Sequence, residues 1–306
     1  MDFSYISPSK RIALLTPPEG RVRMVLDTDT FNEVDDQFAV AHALLSPNEV
    51  EVEAIYAAPF HNNRSNGPED GMEKSYDEIL RLFERLNRSP EGLVFKGSRR
   101  YLHDADTPQQ SAAAEDLIAK AKDAEKGLLY VVAIGAITNV ASAILLEPSI
   151  IENIVVVWLG GNALYWHTAF EFNLKQDIHA SRIMFDVGVP LVTIPCLPVA
   201  SHLQTSIPEI NIHVAGKSGI GDYLAKIVSG YCTTDPAGWS KVIWDIAATS
   251  WVINPDWVPT VLEHSPILTD QFSWSRDASR HNIRVATSVK RDDIFRDVFK
   301  KIATGG

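Results

Sequence analysis

Cysteine is scarce in this sequence, which has only two among its 306 residues, Cys196 and Cys232. Two cysteines in a chain of this length cannot form the disulfide framework of a small secreted protein. Their separation also does not match the paired spacing of a zinc site. The cysteine content therefore excludes a disulfide-stapled scaffold, and we expect a reducing compartment.

A long hydrophobic segment is missing as well. The longest apolar run, residues 128–137, is much shorter than the roughly 20 apolar residues that a membrane-spanning helix needs. The first residues, MDFSYISPSK, lack the basic start and apolar stretch of a signal peptide. We therefore expect no membrane partner and a cytoplasmic location.

Positive charge is in deficit: 28 Lys and Arg residues stand against 39 Asp and Glu residues, for a net charge of −11. Such a chain repels phosphate backbones, so a nucleic acid polymer is not an expected partner, whereas a small uncharged ligand is compatible. Hydrophobic residues make up 45%, which suits a sizeable buried core. No linker or repeat stands out, and we expect one domain over residues 1–306.

Short β-branched runs alternate with amphipathic segments along the chain. The pattern predicts strands at 22–26, 50–56, 128–133, 154–158 and 190–194, and helices at 36–45, 73–86, 139–146 and 178–187. The C-terminal third predicts helices at 223–229 and 243–253, then a strand and a helix within 283–302. This alternation implies an α/β fold with a mostly parallel, open, Rossmann-like sheet and helices on both faces. Ligands bind beyond the carboxyl ends of such strands, which directs attention to the loops that follow them.

An acidic segment follows the first predicted strand, with five acids within ten residues: Asp27, Asp29, Glu33, Asp35 and Asp36. Two carboxylates about 5 Å apart repel by roughly 3 kcal/mol at an effective dielectric near 20, so this cluster calls for a cation. Oxygen ligands without nearby His or Cys favour a hard cation, and calcium tolerates irregular oxygen sets better than magnesium does. The segment therefore predicts a calcium site. Acids that simply favour a helix N-terminus are the plainer alternative, but they do not account for Asp27 and Asp29.

Two other interpretations of this segment are open. Residues 27–29, DTD, also match the D-x-D start of the nucleophile motif of haloacid-dehalogenase-like phosphatases, in which the first Asp, here Asp27, attacks phosphorus with help from magnesium. That fold needs a second acidic pair much further along, whereas Asp35 and Asp36 come soon after Asp29. The non-enzyme alternative is a calcium-dependent sugar-binding protein, which would use the same acids without catalysis.

The chain resembles the inosine-uridine preferring nucleoside hydrolases, whose signature is a strand followed by D-x-D, a short loop and D-D. The loop between Asp29 and Asp35 is two residues longer here than in the usual form. The similarity continues in order through AIGAITNVA (133–141), LGGN (159–162), EFN (171–173) and IWD (243–245). The resemblance therefore spans nearly the whole chain, and it implies a homodimeric or homotetrameric, calcium-dependent enzyme that hydrolyses ribonucleosides to ribose and a free base.

The resemblance also implies roles for individual residues. The calcium ligands would be Asp29, Asp36, the backbone carbonyl of Ile134, and Asp245, with Asp29 also acting as general base on the attacking water. The substrate-binding residues would be Asp35, Asn62 (or its neighbour Asn63), Asn162, Glu171, Asn173, Trp244 and Asp245. Asn173 and Trp244 would also take part in catalysis. These residue types suit the chemistry, because carboxylates stabilise the oxocarbenium-like ribosyl cation that forms when a glycosidic bond breaks.

Trp244 departs from many relatives, which place a His immediately before the late Asp. The substitution removes the obvious general acid, whose contribution would be about 10²–10⁴-fold. Trp at this position resembles the purine-preferring branch, in which the indole stacks on the base and favours its protonated form. The plainer alternative is a core Trp at the start of a helix. Loop residues that could instead protonate or stack on the base are His61, His103, His167, Tyr165 and Trp166.

Overall fold

The computed structural model describes residues 6–305. The first five residues, which belong to the segment used to judge a signal peptide, lie outside this range. Within the described residues, no helix has both the length and the apolar character needed to cross a membrane.

Twelve strands are formed by the described residues: β1 (Val22–Thr28), β2 (Val50–Ala57), β3 (Val94–Lys96), β4 (Leu129–Ala133), β5 (Ile154–Leu159), β6 (Leu191–Ile194), β7 (Gln204–Ser206), β8 (Ser240–Val242), β9 (Thr260–His264), β10 (Ile267–Leu268), β11 (Trp274–Ser275) and β12 (Asn282–Ala286). Eight of them form one sheet in the order β3-β2-β1-β4-β5-β6-β12-β9. All neighbours in this sheet are parallel except β9, which is antiparallel to β12. The pairs β7–β8 and β10–β11 form two small antiparallel ribbons.

The α-helices of the described residues are α1 (Pro8–Leu14), α2 (Asp36–Leu44), α3 (Pro68–Arg85), α4 (Ala112–Lys122), α5 (Thr138–Leu146), α6 (Phe172–Gln176), α7 (Ile178–Asp186), α8 (Ile207–His213), α9 (Gly219–Ser229), α10 (Ile246–Ile253) and α11 (Arg291–Thr304). The main sheet separates them into two layers. Met24 and Leu26 of β1 face a core shared with α2, α3, α9, α10 and α11, whereas Val25 faces a second core shared with α4, α5 and α7. This two-sided burial explains why the central strands are apolar runs without alternation.

The strand order reverses between β1 and β4. From β1 the chain builds outward to β3, then returns to β4 and continues in the other direction through β5 and β6. In open parallel sheets the crevice for a ligand lies beyond the carboxyl ends of the strands at such a reversal. The segments that follow Thr28 and Ala133 meet at this point.

The sequence pattern predicted the fold class and the framework of the sheet correctly, and several boundaries need correction. β1 runs two residues further than predicted, so Asp27 and Thr28 belong to the strand. The helix predicted at 73–86 begins at Pro68. The helix predicted at 243–253 begins at Ile246, because Asp245 is its N-cap, and Trp244 therefore lies in the preceding turn.

Candidate active site

Buried aspartates converge at the carboxyl end of β1. Asp29 immediately follows the strand, and Asp35 and Asp36 lie at the start of α2. Asp245 arrives from the start of α10, which packs against α2. Asp35, Asp36 and Asp245 each present a carboxylate oxygen such that these atoms all lie within 4.8 Å of one another. Asp29 is not one of that trio, but the charges of Asp36 and Asp35 act on it and, after burial, contribute to raising its pKa.

The N-cap positions of α2 and α10 show how these acids stay available. Asp35 and Asp245 are the N-cap residues, but neither side chain accepts a hydrogen bond from its own helix. An N-cap Asp ordinarily satisfies an amide of the first turn, which contributes about 1 kcal/mol of stability. The carboxylates are directed to the shared cluster instead, which is the arrangement expected of ligands.

Proton affinity is raised throughout the cluster. Burial raises the pKa of Asp27 to about 7 and that of Asp36 to about 6. Burial and the neighbouring carboxylates hold the pKa of Asp29 and of Asp245 well above the usual range. Each shift reports that negative charge in this cluster lacks compensation from the protein.

The oxygen atoms of the cluster fit a hard cation. Among the described residues, Asp29 Oδ1 and Oδ2, Asp35 Oδ1 and Asp36 Oδ2 are buried without a hydrogen-bond partner. Thr28 Oγ1 donates to Asp36 Oδ1 at 2.6 Å and orients that carboxylate. Buried carboxylate oxygens are costly to leave unpaired, and a cation would satisfy several of them together. An oxygen-only set of this kind suits calcium or magnesium rather than zinc.

The segment after β4 contributes backbone to the site. Asn173 Nδ2 donates to the Ile134 carbonyl and to the Leu159 carbonyl, both at 3.0 Å. A carbonyl oxygen has two lone pairs, so Ile134 retains one for a cation. Gly135 is required here by close approach, because a Cβ at this position would lie 2.9 Å from Asp29 Oδ1. The structure thus brings Asp29, Ile134 and Asn173 to one place.

Two residues predicted to bind ribose are engaged in organising loops. Glu171 is the N-cap of α6 and accepts from the amides of Asn173, Leu174 and Gly161 at 2.8–3.1 Å. Asn162 Nδ2 donates to the carbonyls of Thr168 and Phe170, and its Oδ1 accepts from the Leu197 amide. These contacts shape the loops after β5, which hold Asn173 in position.

A cavity of about 690 Å³ opens over this cluster. We name two parts of the site. The floor is formed by Asp29, Asp35, Asp36, Ile134, Asn173 and Asp245, and the outer wall by Arg64, Tyr231 and Trp244. The cavity is lined by Asn32, Glu33, Asp35, Asn62, Asn63, Arg64, Ile134, Leu159, Asn162, Phe170, Glu171, Phe172, Asn173, Cys196, Leu197, Gly230, Tyr231, Thr233, Trp244 and Asp245. Asp29 and Asp36 are fully buried and lie behind this surface.

Asn62 and Asn63 both line the cavity, in the loop after β2. Asn62 donates to the carbonyl and the side-chain oxygen of Asn32 at 3.2 and 3.0 Å, and its own Oδ1 accepts from the Arg64 amide. Asn63 is exposed. The sequence left open which of the two binds ribose. Asn62 has contacts within the protein, whereas Asn63 faces solvent.

Trp244 lines the cavity and is partly buried, whereas Trp158 and Trp251 are fully buried core residues. Its backbone amide donates to Asp35 Oδ2 at 3.2 Å, which links the main chain at Trp244 to the aspartate cluster. None of the lining residues is a histidine, so His61, His103 and His167 are not brought to the cavity. Tyr165 and Trp166 also lie outside the lining.

The sequence interpretation missed two residues of the outer wall. Arg64 Nη1 donates to the Tyr231 hydroxyl at 2.6 Å and to the Glu33 carbonyl at 3.0 Å. Nearby, Lys241 forms an ion pair with Glu33 at 2.6 Å. The single available signal was an arginine close to the two asparagines after β2, and nothing in the sequence linked it to a tyrosine 167 positions away.

Comparison with known proteins places this chain in a family. The family model described as inosine-uridine preferring nucleoside hydrolase matches residues 24–296. The pyrimidine-specific ribonucleoside hydrolase RihA of Escherichia coli O9:H4 (strain HS) is 26% identical over 265 residues, covering 78% of this chain and 81% of that protein.

Solved structures agree on the fold. The purine-preferring ribonucleoside hydrolase from Gardnerella vaginalis superposes with a TM-score of 0.75 at 23% identity, covering 92% of this chain and 98% of that one. The inosine-uridine preferring nucleoside hydrolase from Bacillus anthracis gives 0.70 at 16% identity, covering 94% and 100%.

Because the family model covers most of the chain, this protein belongs to the inosine-uridine preferring nucleoside hydrolases, enzymes that hydrolyse the N-glycosidic bond of ribonucleosides. Because the chain belongs to this family, neither the phosphatase nor the non-catalytic interpretation of the acidic segment is needed.

Proposed function

We propose that this protein is a calcium-dependent hydrolase that favours purine ribonucleosides and releases ribose and the free base. The observation that carries the proposal is the buried carboxylate cluster with unpartnered oxygens directly beneath a cavity with an aromatic wall. The floor supplies what the ribosyl half of the substrate needs, and the wall supplies a surface for the base.

Calcium would be held by Asp29, Asp36, Asp245 and the Ile134 carbonyl, and Asp35 is close enough to join them. When bound, it would hold vicinal ribose hydroxyls and lower the pKa of a water molecule. The choice of calcium over magnesium is supported by the number of protein oxygens, since magnesium keeps more water and uses fewer carboxylates.

The residues of the floor divide the remaining work. In the reaction the bond between C1′ and the base nitrogen breaks with its electron pair going to the base, and a water oxygen bonds to C1′. Asp29 takes the proton of that water, because both of its oxygens are free of protein partners. Asp35 and Asn173 face the ribose from the cavity lining. Because both N–H groups of Asn173 Nδ2 donate to the Ile134 and Leu159 carbonyls, its Oδ1 accepts from a ribose hydroxyl. The remaining carboxylate charge stabilises the cationic ribosyl group.

The preference for purines is supported by the outer wall. Trp244 exposes part of its indole to the cavity, and stacking on an aromatic side chain favours the larger ring system. Relatives differ in this respect, since the protein from Escherichia coli is named pyrimidine-specific and that from Gardnerella vaginalis purine-preferring. The preferred base must therefore be measured with this protein itself.

A panel of nucleosides tests the proposal. Inosine, guanosine, adenosine, uridine and cytidine are incubated with the enzyme, and ribose release is measured with calcium, with magnesium and with a chelator. We expect ribose release that is highest for purines, that stops on chelation and that returns with calcium. Release that persists in excess chelator would contradict the metal assignment, and a higher kcat/KM for uridine would contradict the purine preference.

The assembly state is implied by the resemblance and the single domain by the lack of a linker in the sequence, and both stay predictions. We infer one domain and a homodimer or homotetramer. Light scattering on the purified full-length protein measures the assembly, and a monomeric mass at micromolar concentration would contradict it.

A further inference from the structure

Arg64 is the only cationic side chain among the residues that line the active-site cavity. The other charged residues of the lining are acids: Glu33, Asp35, Glu171 and Asp245. Arg64 is half-buried, and within residues 6–305 no carboxylate forms an ion pair with it, because Glu33 pairs with Lys241 instead. The positive charge of this guanidinium is therefore available to bind a ligand.

The contacts of Arg64 leave one edge of its guanidinium open. Both of its side-chain hydrogen bonds, to the Tyr231 hydroxyl and the Glu33 carbonyl, come from Nη1. Among the described residues, Nε and Nη2 make no hydrogen bond. The guanidinium carbon lies 4.4 Å from the centre of the Phe31 ring, which holds the group in a fixed plane. Nε–H and Nη2–H form the fork that binds two adjacent acceptors side by side.

The anchors of Arg64 place it with Trp244, the residue proposed to stack on the base. Arg64 is anchored to the Glu33 carbonyl, and the Trp244 amide is anchored to Asp35, two residues further along the same segment. Arg64 and Trp244 are therefore on one side of the cavity. Asn162, Glu171 and Asn173 approach from the loops after β5, on the other side of the sheet reversal.

We propose that Arg64 is a specificity-determining residue that binds O6 and N7 of a 6-oxopurine base through Nε and Nη2. This inference rests on the proposed hydrolysis of purine ribonucleosides. Hypoxanthine and guanine present two acceptors, O6 and N7, on one edge, and arginine matches that pair with two donors. Adenine presents an amino donor in place of O6 and opposes the fork.

The same contact assists the departure of the base. As the C1′–N9 bond breaks, its electron pair enters the purine ring and negative charge develops on acceptors that include N7 and O6. Arg64 stabilises that charge without giving up a proton, and the departed base then takes a proton from solvent. This role suits a cavity lining that contains no histidine.

The test compares inosine with adenosine in Arg64→Met, which keeps the apolar stem and removes the fork. We expect kcat/KM for inosine to fall about 5- to 150-fold, the range for one bidentate arginine–base pair, while adenosine is affected much less. Arg64→Lys, which keeps the charge but presents no fork, should give an inosine-to-adenosine ratio between those of wild type and Arg64→Met.

Lys74→Met is the matched control, because Lys74 Nζ donates to the Arg64 carbonyl at 2.8 Å but does not line the cavity. It loosens the same loop without removing the guanidinium, so its inosine-to-adenosine ratio should stay at the wild-type value. An unchanged ratio in folded Arg64→Met, with equal losses for both substrates, would show a merely structural Arg64 and overturn the inference. If Arg64→Met does not fold, an unchanged ratio in Arg64→Lys does the same. A wild-type enzyme that releases no ribose from any nucleoside would instead overturn the proposed function.

Discussion

The floor and the outer wall of the cavity are built in different ways. The floor consists of fully or nearly fully buried groups at the ends of β1 and β4, at the N-termini of α2 and α10 and, for Asn173, in α6. The wall consists of partly buried side chains from the loop after β2 and the segment between α9 and α10. A buried floor tolerates almost no change, whereas a wall of loops can vary with the substrate. We therefore expect floor substitutions to abolish turnover of every substrate and wall substitutions to change the preference among them.

The largest effect should come from Asp29, which tests whether the floor carries the chemistry. Asp29→Asn should lower kcat by about 10²–10⁴-fold, the range for loss of a general base, with a smaller change in KM. Steady-state kinetics with several nucleosides, together with the calcium content of the variant, measure this. Near-normal turnover in a calcium-loaded variant would remove Asp29 from the mechanism.

Asp36→Asn tests the metal-binding part of the floor. Removing one negative charge weakens a calcium site, so most of the bound calcium should be lost, and activity with it. Elemental analysis and calorimetric titration with calcium measure the change. Asp106→Asn, at an exposed loop position outside the cavity, is the control and should bind calcium normally. Unchanged calcium in the Asp36 variant, or zinc in the wild type, would contradict the site.

Trp244 tests whether the wall acts on the base. Trp244→Ala should slow hydrolysis of inosine or guanosine by about 5- to 150-fold, which corresponds to the loss of roughly 1–3 kcal/mol of stacking. p-Nitrophenyl riboside should be nearly unaffected, because nitrophenolate leaves without activation. Equal losses on both substrates in a folded, calcium-loaded variant would mean that the indole only supports Asp245.

The smallest effect concerns the pH dependence of the floor. Because burial raises the pKa of Asp36 to about 6, calcium must displace a proton below that pH. Calcium affinity should therefore fall up to tenfold per pH unit for each displaced proton as the pH drops through 6. The stability of the calcium-free protein changes in the other direction. Between about pH 4 and 7 its folded state holds more protons than the unfolded state, so its free energy of unfolding decreases as pH rises. Thermal melts with chelator and with calcium at several pH values measure both trends.

The acids of the floor that follow β1 could be proposed from the sequence for a physical reason, and their roles stay predictions. Asp29, Asp35 and Asp36 follow a strand whose buried pattern is strong, and the strand-end rule places such residues at the crevice. Asp245 and Ile134 were reached only through the resemblance, because no local pattern connects them with residues some 100–200 positions earlier.

Most residues of the outer wall could not be predicted from the sequence. Trp244 was identified by its place beside Asp245, but the turn that exposes it was predicted as helix. Arg64 and Tyr231 lie in irregular loops where periodicity carries no information, and their contact depends on the three-dimensional path of both segments. Glu171 and Asn162 show a different limit of sequence motifs. The motif marks these residues as important, but it does not tell which of their atoms already form hydrogen bonds within the protein.

The two helices that deliver Asp36 and Asp245 also join distant parts of the polypeptide. Besides meeting at their N-termini, α2 and α10 are linked by a hydrogen bond of 3.0 Å between His42 Nδ1 and Thr249 Oγ1, residues 207 positions apart. An ion held by both aspartates therefore closes a long loop of chain, much as a disulfide bond would in a secreted protein. Because only the folded chain presents these ligands together, each increase in calcium concentration above its Kd adds to the free energy of unfolding. In a protein whose cysteines are unpaired, the proposed calcium ion would also cross-link the segment after β1 to the segment after β8.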